Sequence, residues 1–300
     1  MKNQLKTIVL IGTLTALVVG FGALVAPGCL YLFGALALAM NLGAYFYSDR
    51  IVLRMHHARE VTPAEAPDLH AMVEELSANA EIPKPRVYVM PEAQPNAFAT
   101  GRNPKHGVVA ITEGLVQLLD RRELRGVIAH ELAHIKNRDI LVSSVAAAAA
   151  TMITYVAQAI SLGSLFGGGG QSDDDEGGNG SVGLLLALVA PLAATLIQLG
   201  ISRSREYLAD ETGARLSGDP EALARALVKL EQAATVIPAQ AAPTTASLFI
   251  VNPFGAVERL ARWFSTHPST DERVQRLRSL SARRGRAAQS SRASALVGEW

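Results

Sequence analysis

The chain of 300 residues contains a single cysteine, Cys29. No disulfide can close within it and no cysteine-based metal site can form, so a bound metal would have to rest on histidine and carboxylate. Charge is also scarce. Charged residues make up 18% and aromatic residues 5% of the sequence, whereas typical globular domains are about 25% charged. The formal net charge of +1 gives no electrostatic footprint for nucleic acid, and none is expected as a partner. No internal repeat occurs beyond two hydrophobic hairpins, which excludes a solenoid or repeat array. From residue 7 to residue 48 charge is missing altogether.

Apolar residues, in contrast, reach 49%, with a mean hydropathy of +0.20, and they are concentrated in long runs. Residues 7–48 allow two passes of about 20 residues each across a hydrocarbon core of roughly 30 Å, with Pro27-Gly28 at the reversal. A second apolar pair occupies residues 140–166 and 182–201, separated by the stretch GGGGQSDDDEGGNG. The pattern predicts an integral membrane protein with about four transmembrane helices. Lys2 and Lys6 precede the first run as in a signal peptide, but a further apolar run follows directly and no small-x-small cleavage site intervenes, so the segment is expected to remain. Arg50, Arg54, Arg59, Arg203 and Arg205 flank the runs on one side, while the turn at 27–28 and the loop at 167–181 carry no Lys or Arg. The polar mass is therefore expected in the cytoplasm. His56 and His57, among arginines at a membrane exit, read as interfacial.

Five segments follow: a transmembrane hairpin at 1–48, the first part of a catalytic domain at 49–139, a second hydrophobic hairpin at 140–201, the second part of the domain at 202–282 and a basic flexible tail at 283–300. In the first part, residues 60–80 read as an amphipathic helix, and β-type runs at 86–90, 96–100 and 107–111 suggest a small sheet. A short helical run opens at Thr112. The next helix begins near Arg122, with Leu124, Val127, Ile128, Leu132 and Ile135 on one apolar face. In the second part, residues 202–216 and 219–234 read as helices separated by Gly218-Asp219-Pro220, where the Asp can cap and the Pro suits a first turn. Residues 237–257 read as a loop and 269–282 as a charged helix.

The chemistry is concentrated in His130-Glu131-Leu132-Ala133-His134. Two histidines four apart lie on one helix face and can share a zinc ion, and Glu131 is placed to take a proton from an attacking water and pass it to a leaving amine. With seven histidines in the chain, chance placement yields roughly 0.01 such patterns. A catalytic zinc of this type needs a carboxylate from another helix, and Glu206 is the best candidate. Asp210, four residues on, can accept the free N–H of a ligand histidine. His267, before Pro268 at a helix start, reads either as an oxyanion donor or as a helix-capping residue. Asp139 reads either as a partner for a ligand histidine or as a surface charge.

Together PNAFATG at 95–101, HELAHIKNRD at 130–139, SREYLAD at 204–210, VNPF at 251–254 and THPSTDER at 266–273 resemble the HtpX family of membrane-bound zinc metalloproteases, related more distantly to the CAAX prenyl endopeptidases. The resemblance spans nearly the whole chain. It implies a zincin-like (gluzincin) α+β catalytic domain within a mainly α membrane protein, with one Zn²⁺ per subunit on His130, His134 and Glu206, Glu131 as base, and Asp210 behind the ligands. It implies a bacterial inner membrane, a site facing the cytosol, and turnover of damaged or misfolded membrane proteins. Asn96, Ala97, Phe98 and Ala99 resemble the edge strand that pairs with extended substrate in such peptidases, although an ordinary strand fits equally. The rival reading is a zinc-stabilised membrane scaffold or sensor that binds clients without cutting them. An intact Glu131 weighs against it, because a structural zinc site needs no base.

Overall fold

The computed structural model describes residues 30–146, 203–237, 248–250 and 268–297, with isolated positions at 12, 15, 16, 19, 28 and 148; the side chains of 30, 33 and 284–297 are not described. Its elements run α1 (Leu30–Met55), β1 (Arg59–Glu60), α2 (Pro67–Asn79), β2 (Arg86–Met90), β3 (Ala97–Thr100), β4 (Val108–Thr112), α3 (Glu113–Leu118), α4 (Arg121–Lys136), α5 (Arg203–Ser217), α6 (Pro220–Val236) and α7 (Thr270–Val297). A further helical segment begins at residue 140 and is described to residue 146.

The four strands form one mixed sheet in the order β1-β2-β4-β3. β2 and β4 are parallel, and β3 returns antiparallel to β4 with Ala97 opposite Ile111 and Ala99 opposite Val109. The turn between β3 and β4 requires Gly101, whose φ is 127° and whose absent Cβ would lie 2.2 Å from the carbonyl oxygen of His106. β3 is thus the outer strand on its side of the sheet among the described residues, and all four of its residues are buried.

α4 is the central helix, packed against α2, α5 and α6 and against strands β3 and β4. Its start is fixed by a reciprocal cap: Asp120 accepts from the backbone N–H of Arg122 and Glu123, and Glu123 accepts from the N–H of Asp120 at 3.0 Å. The apolar residues expected to share a face, Val127, Ile128, Leu132 and Ile135, are fully buried in the main core with Leu76, Ile111, Leu223 and Leu227. Each such side chain contributes about 1.5–3 kcal/mol by leaving water. Glu123 is buried too, and α6 supplies its counter-charges through Lys229 Nζ at 2.6 Å and Arg225 Nε at 3.3 Å. Asp219 caps α6 by accepting from Ala222 N–H at 3.0 Å, with Pro220 in the first turn as expected.

Three expectations change, the first being the helix expected over residues 60–80, which starts only at Pro67 because Arg59–Glu60 pair with β2 as strand β1. The helix expected to end at Ser48 continues through Asp49, Arg50 and Arg54 to Met55, and the tail expected to be flexible from 283 continues α7 to Val297. Among the described residues no helix is long and apolar enough to cross a membrane. α1 nevertheless exposes a large apolar surface, with Tyr31 94% and Leu32 66% accessible and Leu38, Leu42, Phe46 and Tyr47 also open to solvent. The first predicted span, nearly all of the second hairpin, its acidic loop and most of the 237–257 loop lie outside the described residues.

α5 lies close against α4 at Gly213, where a Cβ would lie 2.8 Å from the backbone nitrogen of His130 and 2.9 Å from its Cα. Backbone cannot yield as a flexible side chain can. Gly213→Ala should push α5 off α4 and cost about 1–3 kcal/mol, read as a lowered Tm of the detergent-purified protein. An unchanged Tm would contradict the contact.

Candidate metal centre

His130 and His134 project from the buried side of α4, one turn apart, with ring centroids 4.8 Å apart and planes at 86°. Their Nε2 atoms face each other at 3.2 Å. Glu206, in the first turn of α5, closes the group: its Oε2 is 3.7 Å from His130 Nε2 and its Oε1 3.8 Å from His134 Nε2. Atoms of all three residues lie within 4.8 Å of one another, a spacing that could hold a metal ion.

The outer nitrogens are tied to carboxylates. Asp139 Oδ2 is 3.2 Å from His134 Nδ1, and Asp210 Oδ1 is 3.0 Å from His130 Nδ1. Carboxylates on that side favour a proton on each Nδ1, which turns both Nε2 lone pairs toward the same point. Two lone pairs and a carboxylate cannot converge unless a proton or a cation lies among them, so the donor set fits a divalent metal. His, His and Glu together are the donors of a catalytic zinc site.

Burial alone would lower the His134 imidazole, but the charge and hydrogen bond of Asp139, with Glu206 and Glu131, outweigh it and push its pKa up to about 10. His130 is likewise raised: burial opposes the shift, and Asp210 and Glu206 override it. Glu131 is 4% exposed, and burial raises its carboxyl above the usual range against the pull of both histidines. Glu131 lines the same cavity as Ala99 of strand β3. These groups line a cavity of about 40 Å³ with Ile140, Ser143, Leu248, Phe249 and Ile250. That space suits an ion and a water.

The structure brings together His130, Glu131, His134, Glu206, Asp210, Asp139 and Ala99. Asp139 is buried rather than a surface charge. Asn96 and Phe98 are placed differently. Asn96 spends its backbone on β4, accepting from Thr112 N–H at 2.9 Å and donating to Thr112 Oγ1 at 2.8 Å. By antiparallel alternation Phe98 does the same, leaving the main-chain groups of Ala97 and Ala99 on the open side of β3. The Phe98 ring packs among Val52, Leu53, Met90 and Leu248. His267 and the VNPF motif lie outside the described residues. His56 is not interfacial: it is buried, with Nδ1 2.8 Å from Glu92 Oε1 and its ring 5.5 Å from that of Phe98.

Sequence reasoning missed two cations. Arg273 is 1% exposed and pairs with Asp210 through Nε at 2.8 Å and an Nη at 2.7 Å. With burial opposing, this pair holds the Asp210 carboxyl below its ordinary value. Arg205, on the buried side of α5, lies in the field of Asp139 and Glu206, though burial lowers its pKa. The available signal was their place within SREYLAD and THPSTDER, where each stands directly beside a glutamate.

A buried pair of histidines facing a carboxylate, with a second buried carboxylate beside them, is the arrangement of a metal-dependent hydrolase. The chain belongs to peptidase family M48, whose profile matches residues 63–281. It is 54% identical over 284 residues to a protease HtpX homolog of Syntrophobacter fumaroxidans, covering 93% of this chain and 100% of that protein. A protease HtpX homolog of Pelotomaculum thermopropionicum is 52% identical over 280 residues (93% and 99% covered). One of Pyrococcus abyssi is 53% identical over 285 residues (94% and 97% covered). Among solved structures, the crystal structure of S. mikatae Ste24p aligns with a TM-score of 0.47 at 19% identity, covering 89% of this chain and 65% of that one. Membership in a peptidase family makes the chain a metalloprotease and favours hydrolysis over the scaffold reading.

The acids around them raise both imidazoles, that of His134 to about 10, so a metal must displace a proton from His134 to bind. Zinc uptake should therefore release protons, and apparent affinity should rise with pH up to about 10, where His134 loses its extra proton, measured by titration calorimetry in buffers of different ionisation heat. Uptake independent of pH would contradict the assigned ring environments.

Proposed function

We propose that this chain is a zinc endopeptidase of a bacterial inner membrane that hydrolyses unfolded or damaged membrane proteins from the cytosolic side. The observation that supports it most is the convergence of His130, His134 and Glu206 beside a buried Glu131 that shares a cavity with the outer strand of a sheet. The apolar surface of α1 and the long uncharged runs in the sequence support residence in the bilayer. The motif helix ends just before one apolar run and α5 begins just after another, which favours a site close to the membrane surface.

His130, His134 and Glu206 would hold the ion, which when bound supplies Lewis acidity toward a carbonyl and lowers the pKa of water. Asp139 and Asp210 keep the imidazoles aimed. Glu131 accepts the proton of the attacking water, its burial raising its basicity, and returns that proton to the leaving nitrogen. Ala97 and Ala99 offer main-chain groups to an extended polypeptide, pairing that is largely independent of side-chain sequence and suits unfolded substrates. His267 is proposed as a donor to the developing oxyanion.

The direct test is purification in detergent without zinc, zinc addition, and comparison of the wild type with Glu131→Gln on an unfolded protein. The wild type should cleave once zinc is added, while the variant should keep zinc affinity and lose at least about 100-fold in rate. Equal cleavage by both would overturn the assignment of the base.

A further inference from the structure

Ile250 passes over the metal centre with both of its backbone groups tied to residues far away in sequence. Its N–H donates to Asn96 Oδ1 at 3.3 Å and its carbonyl accepts from Arg273 Nη1 at 2.7 Å. Leu248, Phe249 and Ile250 thereby form an apolar wall of the cavity that contains Glu131 and Ala99. Asn96 stands one residue before β3 and Arg273 lies on α7, so the wall is pinned from the sheet on one side and the helical layer on the other. Arg273 has a second task, since the same guanidinium grips both oxygens of Asp210, whose Oδ1 lies 3.0 Å from His130 Nδ1. Its Nη1 is also 4.0 Å from Glu206 Oε2.

We infer that Arg273 is a positioning residue that couples the two halves of the site: through Asp210 it aims His130, and through Ile250, jointly with Asn96, it sets the wall against which a substrate side chain rests. This rests on the metallopeptidase reading above. An extended chain pairing with Ala97 and Ala99 places a side chain on the cavity side of β3, where Leu248, Phe249 and Ile250 offer only apolar contact. Only a planar, five-donor cation can serve both tasks. Lysine keeps a positive charge beside Asp210 but cannot grip two carboxylate oxygens and a carbonyl together. Glutamine removes the charge, and alanine at Asn96 removes one pin of the wall while leaving Asp210 untouched.

The test uses full-length, detergent-purified wild type, Arg273→Lys, Arg273→Gln and Asn96→Ala, with zinc affinity measured by competition with a chromogenic chelator and kcat and KM on a quenched fluorescent peptide with an apolar residue beside the scissile bond. Arg273→Gln should weaken zinc binding at least about 10-fold, whereas Arg273→Lys and Asn96→Ala should stay within about threefold of wild type. The latter two should raise KM several-fold with kcat within about threefold, and the rise should shrink on a peptide with a polar residue at that place. A merely structural Arg273 would lower Tm and activity alike in both of its variants without separating zinc affinity from KM, and that result overturns the coupling. Equal zinc affinity in the glutamine and lysine variants, or an unchanged KM in Asn96→Ala, does so as well. A wild type that takes up no zinc would overturn the metallopeptidase reading itself, which separates the two failures.

Discussion

Two imidazole nitrogens 3.2 Å apart with a carboxylate beside them form an arrangement that water would disperse if the side chains were free. Here they are not free. Asp139 and Asp210 occupy the outer nitrogens, α4 is immobilised by its cap and its apolar face, and α5 lies against it at Gly213 with no room for a single methyl group. The packing energy of the core is in effect used to hold like-facing lone pairs together, an arrangement that a positive charge at their focus would relieve. The other features near the site serve that constraint: Arg273 and Arg205 balance the acids behind the rings, and Glu131 is buried because the same close packing excludes solvent.

Much of this was legible in the sequence because it depends on local periodicity. The four-residue spacing of His130 and His134 fixes their common face, the apolar period of α4 fixes which side is buried, and the β-type runs at 86–90 and 107–111 recur as β2 and β4 with a shift of one residue in the latter. Asp219-Pro220 reads as a helix start by its chemistry alone. Glu206 and Asp210 were recognisable as a pair because they too are four apart on one helix.

What could not be read depends on contacts across the chain. Arg273 and Asp210 are 63 residues apart, His56 and Glu92 are 36 apart, and neither Arg273 nor His56 shows its role until its partner is known. Asn96 and Phe98 could not be separated from Ala97 and Ala99 without knowing which side of the strand faces β4. The end of α1 was misplaced because the loss of hydrophobicity after Ser48 marks a change of environment, while the helix itself continues through charged residues to Met55.

The central claim is that one metal ion sits where the two Nε2 atoms and Glu206 converge. Anomalous diffraction at the zinc edge from crystals grown with zinc tests it most directly. A single peak within about 2.0–2.2 Å of His130 Nε2, His134 Nε2 and a Glu206 oxygen is the result this account requires. A peak held by other residues, or by the histidines without Glu206, would contradict it.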